Sequence, residues 1–258
     1  MQYVRKVDFG AFNPNEFHSQ FIADRSTGLE SCMCIVTRVP PGKGSSLGRH
    51  VHPTDQIYYL LRGQMQVQIG DQRLTAGPKH LVYIPASVPH WNWNDSDEGE
   101  VHFEVIVPQP QGEPAATSVD ESVVKNAPAG VELVRRLDES QFSGGDSWSQ
   151  EVIAERASGI DSLSMGVFKV PPGARLPGLH VHRFGQVYYV LEGTMTVQIG
   201  LERYEASPDT LVILPAGMPH TNWNAGLVDE YHLNLRVPQP LDTDARQWDL
   251  PVTIGEAH

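Results

Sequence analysis

The chain has 258 residues, enough for one large domain or two modest ones, and either can bury a real core. Hydrophobic residues make up 40% and charged residues 19%, which excludes disorder as the main state. A formal net charge of −12 without a Lys/Arg cluster excludes contact with nucleic acid or an anionic membrane through a basic patch.

The N-terminal segment MQYVRKVDFGAFNPNEF lacks the apolar stretch of a secretory signal. No run of about 18 apolar residues is present to span a membrane. Together with the cysteine usage, this leads us to expect a soluble, cytoplasmic protein. Cys32 and Cys34 are too close in sequence to staple a fold, and C-M-C is neither CxxC nor a zinc ribbon. The 23 Gly and 20 Pro favour turn-rich β structure. Short apolar or β-branched runs follow one another between turn residues: SCMCIVTRV, QIYYLLRG, MQVQIG, HLVYIP and VHFEVIVP. Short helices are expected at ESVVKNA (121–127) and LDTDARQW (241–248).

The same run of elements then returns. Residues 50–110 align without a gap on 180–240, and 31 of the 61 positions are identical, so the chain is one unit written twice. Upstream, VPPG at 39–42 matches VPPG at 170–173 with an offset larger by one, which places an indel in a loop between VPPG and HVH. We expect an N-terminal domain at 1–112, a Pro/Ala-rich linker at 113–130 and a C-terminal domain at 131–258.

Eight of the 11 histidines belong to this repeat: His50, His52, His90 and His102 against His180, His182, His220 and His232. Residues of equal parity share one face of a strand. His50, His52, Gln56 and Tyr58 are of one parity, as are His180, His182, Gln186 and Tyr188. A third imidazole, His90 or His220, comes from a later strand. Three imidazoles and one oxygen donor make a divalent-metal site.

These residues resemble the cupin superfamily, and the duplication resembles a bicupin. Gly44, His50, His52, Gln56 and Gly63 match the first family motif. His180, His182, Gln186 and Gly193 match it in the second copy, with Gly173 one residue early. Pro215, Gly217, His220 and Asn224 match the second motif; Pro85, His90 and Asn94 match it in the first copy, with Ser87 in place of Gly. Neither copy places the leading Gly of this motif at the family spacing. The resemblance implies an all-β fold of two tandem jelly-roll (double-stranded β-helix) barrels. It also implies one divalent transition metal per barrel, chosen among Fe, Mn, Ni, Cu and Zn.

The family's usual Glu ligand is Gln56 in one copy and Gln186 in the other. A carboxamide brings a neutral oxygen, so the ion would keep its full +2 charge and act as a stronger Lewis acid. His102 and His232 lie off the apolar stripe of their strand, on a face that is either the barrel interior or solvent. Some cupin-type polyketide cyclases use four imidazoles, which makes this pair candidate fourth ligands. Tyr58 and Tyr188 share the ligand parity and are candidate acid/base groups, with ordinary core packing as the alternative. Trp93 and Trp223 read as packing residues at the barrel rim. Cys32 and Cys34 align with Leu163 and Met165 and read as core thiols.

The resemblance points first to a metal-dependent oxidoreductase, a dioxygenase of the quercetinase-like kind, acting on an enolisable aromatic or polyketide-like small molecule. A polyketide cyclase or isomerase using the metal as Lewis acid is the second reading, and a non-catalytic ligand-binding cupin the third. The expected partner is the small-molecule substrate, with no nucleic acid and no membrane. Exposed edge strands leave room for a homodimer.

Overall fold

The computed structural model describes residues 2–112, 114–175, 178–241 and 250–254. Among these, the regular elements are strands and one-turn 3-10 segments, with no α-helix. Among the described residues, no helix is long and apolar enough to cross a membrane. The helix expected at 121–127 does not form. Seven residues are too few to repay helix nucleation, and Arg49 draws the carbonyls of Asp120 (2.9 Å) and Val123 (2.8 Å) outward. Beyond Leu241, the segment expected to be helical at 241–248 lies outside the described residues.

By contact, the chain groups into two compact units. One is Asp8–Leu137; the other joins Met1–Val7 to Asp138–His258. The division at 1–112, 113–130 and 131–258 remains our proposal for where the repeats meet in sequence.

Both units use one plan of two antiparallel sheets. In Asp8–Leu137, a six-stranded sheet runs Val134–Arg136, His80–Ile84, Asp55–Arg62, Glu100–Val107, Met33–Val39, His18–Ala23. Its five-stranded partner runs Thr117–Ser118, His50–Val51, His90–Trp93, Met65–Ile69, Gln72–Ala76. In the other unit, the larger sheet is built around Thr210–Leu214, Gly185–Glu192, Glu230–Val237 and Ser164–Val170. The smaller one runs Glu202–Ala206, Met195–Ile199, His220–Trp223, His180–Val181, Leu250–Pro251.

Alternation explains why the sheets face each other. Met65–Ile69 and Met195–Ile199 alternate strictly between buried and half-buried positions. Met195, Val197 and Ile199 from the small sheet pack with Tyr188, Val190, Val212 and Leu214 from the large one in a single cluster. Each such aliphatic side chain contributes about 1.5–3 kcal/mol on burial. On the outward face, Trp93 stacks on Trp91 at 4.5 Å, and Arg73 lies over Trp93 at 4.7 Å. Cys32 and Cys34 are buried free thiols.

The edges hold a reciprocal exchange. Val4–Lys6 and Val134–Arg136 are equivalent segments of the two repeats, VRK and VRR. Val4–Lys6 pairs with Thr210–Leu214, whereas Val134–Arg136 pairs with His80–Ile84. Each repeat therefore lends its first strand to the sheet of the other. The stretch expected to be a linker is also tied down, because Thr117–Ser118 pairs with His50–Val51.

Gly63 ends the strand that carries Gln56 and Tyr58. Its φ is +70°, and a Cβ there would lie 2.6 Å from the Gly99 carbonyl oxygen. Gly63→Ala is expected to cost at least about 2 kcal/mol in urea denaturation, from strain plus collision. Gly42→Ala, at the same φ but with nothing within 4 Å, should cost about 1 kcal/mol.

Candidate metal centre

His50 and His90 are direct partners across two neighbouring strands, and His180 and His220 repeat that pairing. His52 and His182 follow two residues on and turn to the same side. The result is two buried imidazole triads, His50/His52/His90 and His180/His182/His220, each with ligand nitrogens within 4.8 Å of one another.

Backbone carbonyls set the tautomers. Nδ1–H of His50 donates to Gly48 O (2.8 Å), that of His52 to Ala115 O (2.9 Å), and that of His90 to Val88 O (2.9 Å). His180 and His220 donate likewise to Gly178 O and Met218 O, both at 2.8 Å. A carbonyl can only accept, so the proton sits on Nδ1 and the Nε2 lone pair is free for a metal.

Gln56 lines the same cavity as His50 and His52. Its Nε2 donates to the Glu104 carboxylate, which turns Oε1 the other way. Oε1 of Gln56 and Nε2 of His52 and His90 are all buried with no hydrogen-bond partner. In the second site, Gln186 Nε2 donates to Asn234 Oδ1 (2.9 Å), and Gln186 Oε1 lies 3.1 Å from His220 Nε2. Two lone pairs facing each other at that distance cannot bond to each other; a cation between them satisfies both. The residues present therefore fit a divalent metal in each unit.

Electrostatics keep His50, His52, His90 and His220 neutral. Burial lowers the pKa of His50. Burial, then the neighbouring His50, brings His52 down to about 4. Burial lowers His90 well below its ordinary value and brings His220 to about 3.

His102 and His232 are fully buried, so their face of the strand is interior. The triads as grouped do not include them, and through Nδ1 each binds an acid two residues before it. His102 Nδ1 donates to Glu100 (2.8 Å) and Nε2 lies 3.9 Å from Glu104; His232 Nδ1 donates to Glu230 (3.0 Å). Burial opposes the His102 cation, but Glu100 and then Glu104 outweigh it and raise its pKa. Tyr58 packs on His102 at 4.5 Å and Tyr188 on His232 at 4.8 Å. Burial, then the charges of Glu104 and Glu100, pushes the Tyr58 phenol up, so it stays protonated.

Sequence reasoning missed Glu100 and Glu230 as partners of those histidines. The signal was E-x-H at the start of the same strand in both copies. Ala115 gave no signal, since it acts through its carbonyl.

A cavity of about 540 Å³ opens on the first triad. His50, His52, Gln56, Tyr58, His102 and Glu104 form its floor. Phe17, Phe21, Met33, Ile35, Leu47 and Ile106 also line it, and among the described residues no Lys or Arg does.

A family model described as a cupin domain matches residues 35–107 and 166–229, more than half of the chain. The chain belongs to the cupin family. Its two matches, one in each repeat, make it a bicupin. No curated protein matches it. Among solved structures, a mutant oxalate decarboxylase from Bacillus subtilis is similar with a TM-score of 0.74 at 15% identity, covering 92% of this chain and 78% of that one. The Bacillus subtilis oxalate decarboxylase at pH 4.6 gives a TM-score of 0.73 at 14% identity, covering 92% and 77%. At such identities the likeness shows the fold alone.

The neutral imidazoles of this bicupin make its stability pH-dependent. In the unfolded chain they titrate near 6.5, and in the folded chain His52 titrates near 4. Between those values the unfolded state binds more protons, so stability falls as pH drops from about 6.5 toward 4 and is unaffected by these groups above that window. Metal-stripped protein should melt at a lower temperature at about pH 5 than at about pH 7.5. Glu100, Glu104 and His102, whose pKa values are raised, act in the opposite direction, so the fall is compared with that of His52→Gln, and an equal fall in both would contradict the neutral assignment.

Proposed function

We propose that this bicupin is a metal-dependent enzyme acting on a planar, enolisable aromatic or polyketide-like molecule, with dioxygenase-type oxidation as the reaction. The observation that carries the reading is the apolar cavity seated on the first imidazole triad. His50, His52, His90 and Gln56 would hold the ion in the first site; His180, His182, His220 and Gln186 would hold it in the second. A divalent ion there supplies Lewis acidity for an enolate oxygen and, if redox-active, an electron path to O2.

The side chains supply the rest. Phe17, Phe21, Met33 and Ile35 give a planar ring apolar walls and exclude water from it. Tyr58, kept protonated, can donate a hydrogen bond to a substrate oxygen. Glu104 can accept one from an enol hydroxyl. His102 acts through its neighbours, holding Tyr58 and Glu104 in place. A small dianion such as oxalate would face the Glu104 carboxylate with no Lys or Arg among the described lining residues to offset it, which supports a substrate class other than that named for the similar structures.

One observation favours a second reading, a cyclase or isomerase that uses the metal as Lewis acid. Gln56 and Gln186 bring a neutral carboxamide to both sites where a carboxylate would bring charge, so an ion would keep more of its charge for polarising a carbonyl.

Metal analysis of the reconstituted protein should give close to two divalent ions per chain, one for each triad. Replacing His50 and His180 together by Ala should abolish binding. A folded wild-type protein that takes up no metal would end the enzyme reading. Oxygen uptake with a panel of flavonols and 1,3-diketones should be stimulated by the loaded protein and lost in the double variant. Turnover unaffected by removing O2 would transfer the assignment to the cyclase or isomerase.

A further inference from the structure

The two sites share their imidazoles and their carboxamide but not what stands behind them. In the first, the Gln56 amide donates to a carboxylate, Glu104, which also accepts a long bond from Thr37 Oγ1 (3.4 Å). In the second, the Gln186 amide donates to a carboxamide, Asn234. Thr37 sits opposite His102 in the sheet, and the equivalent position opposite His232 is Phe168, whose ring stacks on that histidine at 5.3 Å. A carboxylate with its hydroxyl partner in one copy is thus an amide with an aromatic ring in the other. The acid on the far side, Glu100 or Glu230, is common to both. The first pocket therefore carries one more carboxylate than the second.

We propose that Glu104 replaces, from one residue away, the negative charge that Gln56 does not bring, so that the first cupin holds its divalent ion more tightly than the second. This rests on the metal reading above. Two effects act together. The anion attracts a +2 ion across a buried, low-dielectric gap. A charge-assisted hydrogen bond from the amide N–H also polarises the amide and makes Oε1 a better donor. Asn234 can orient Gln186 in the same way but supplies neither the charge nor the polarisation. The chain would then hold one firmly bound ion and one exchangeable ion.

The test separates the sites within the full chain. His180→Ala leaves the first site alone, and His50→Ala leaves the second. Each is titrated with Co2+ against a chromophoric chelator, and the d–d absorption reports occupancy. The first site should bind about ten- to hundredfold more tightly, the range over which a partner that raises a metal ligand's basicity usually acts. Adding Glu104→Gln to the first-site protein should remove most of that advantage. Adding Asn234→Asp to the second-site protein should recover part of it. Equal affinities overturn the proposal, as does a Glu104→Gln protein with native circular dichroism and unchanged affinity. Should Glu104→Gln fail to fold, the Asn234→Asp arm is decisive, and no gain there overturns it. Failure of both sites to bind any Co2+ would instead overturn the metal reading itself.

Discussion

A row of hydrogen bonds from imidazole to backbone carbonyl underlies everything these two sites can do. Each bond fixes one proton on Nδ1 and so presents one lone pair inward. Without it, the same histidines could present N–H groups, which repel a cation. The carbonyls come from residues with no functional signature of their own: Gly48, Val88, Gly178 and Met218 lie two residues before their histidines, and Ala115 lies in the stretch between the repeats. The barrel supplies the metal-binding geometry, and its turns supply the chemistry of the ligands.

Burial works in the same direction. Imidazoles packed inside a sheet sandwich resist protonation, and their lowered pKa values keep the lone pairs available. The acids of the same pockets have a separate task. Glu100 and Glu230 each accept from Nδ1 of the fourth histidine of their copy. A buried network of this kind is specific because each member has a defined partner, and the duplicated chain keeps most of it twice.

Much of this is legible in the sequence, because repetition marks it. HVH, the Pro-His turn, Gln56 with Gln186, and Gly63 with Gly193 stand out by occurring twice at one offset. The strand pattern follows from period-two alternation, which the barrel realises most clearly in Met65–Ile69. What escaped lay in relations that sequence spacing does not encode. Alternation put His102 and His232 on the face opposite the apolar stripe but could not say whether that face was wet; both histidines are fully buried. The polar composition of 113–130 suggested a free linker, whereas its backbone pairs with His50–Val51. Composition reports side chains, and this contact is made by the main chain.

The exchanged first strands have an evolutionary meaning. Val4–Lys6 and Val134–Arg136 each complete a sheet made mostly of the other repeat. A gene coding for either repeat alone would therefore code for a barrel missing its own edge and carrying a strand with nowhere to pair. Fission of the duplicated gene is penalised from both sides at once. Point substitution stays open to each copy, and replacements such as Glu104 against Asn234 are the kind it permits. The exchange thus acts as a ratchet: it keeps two copies in one polypeptide while leaving them free to specialise.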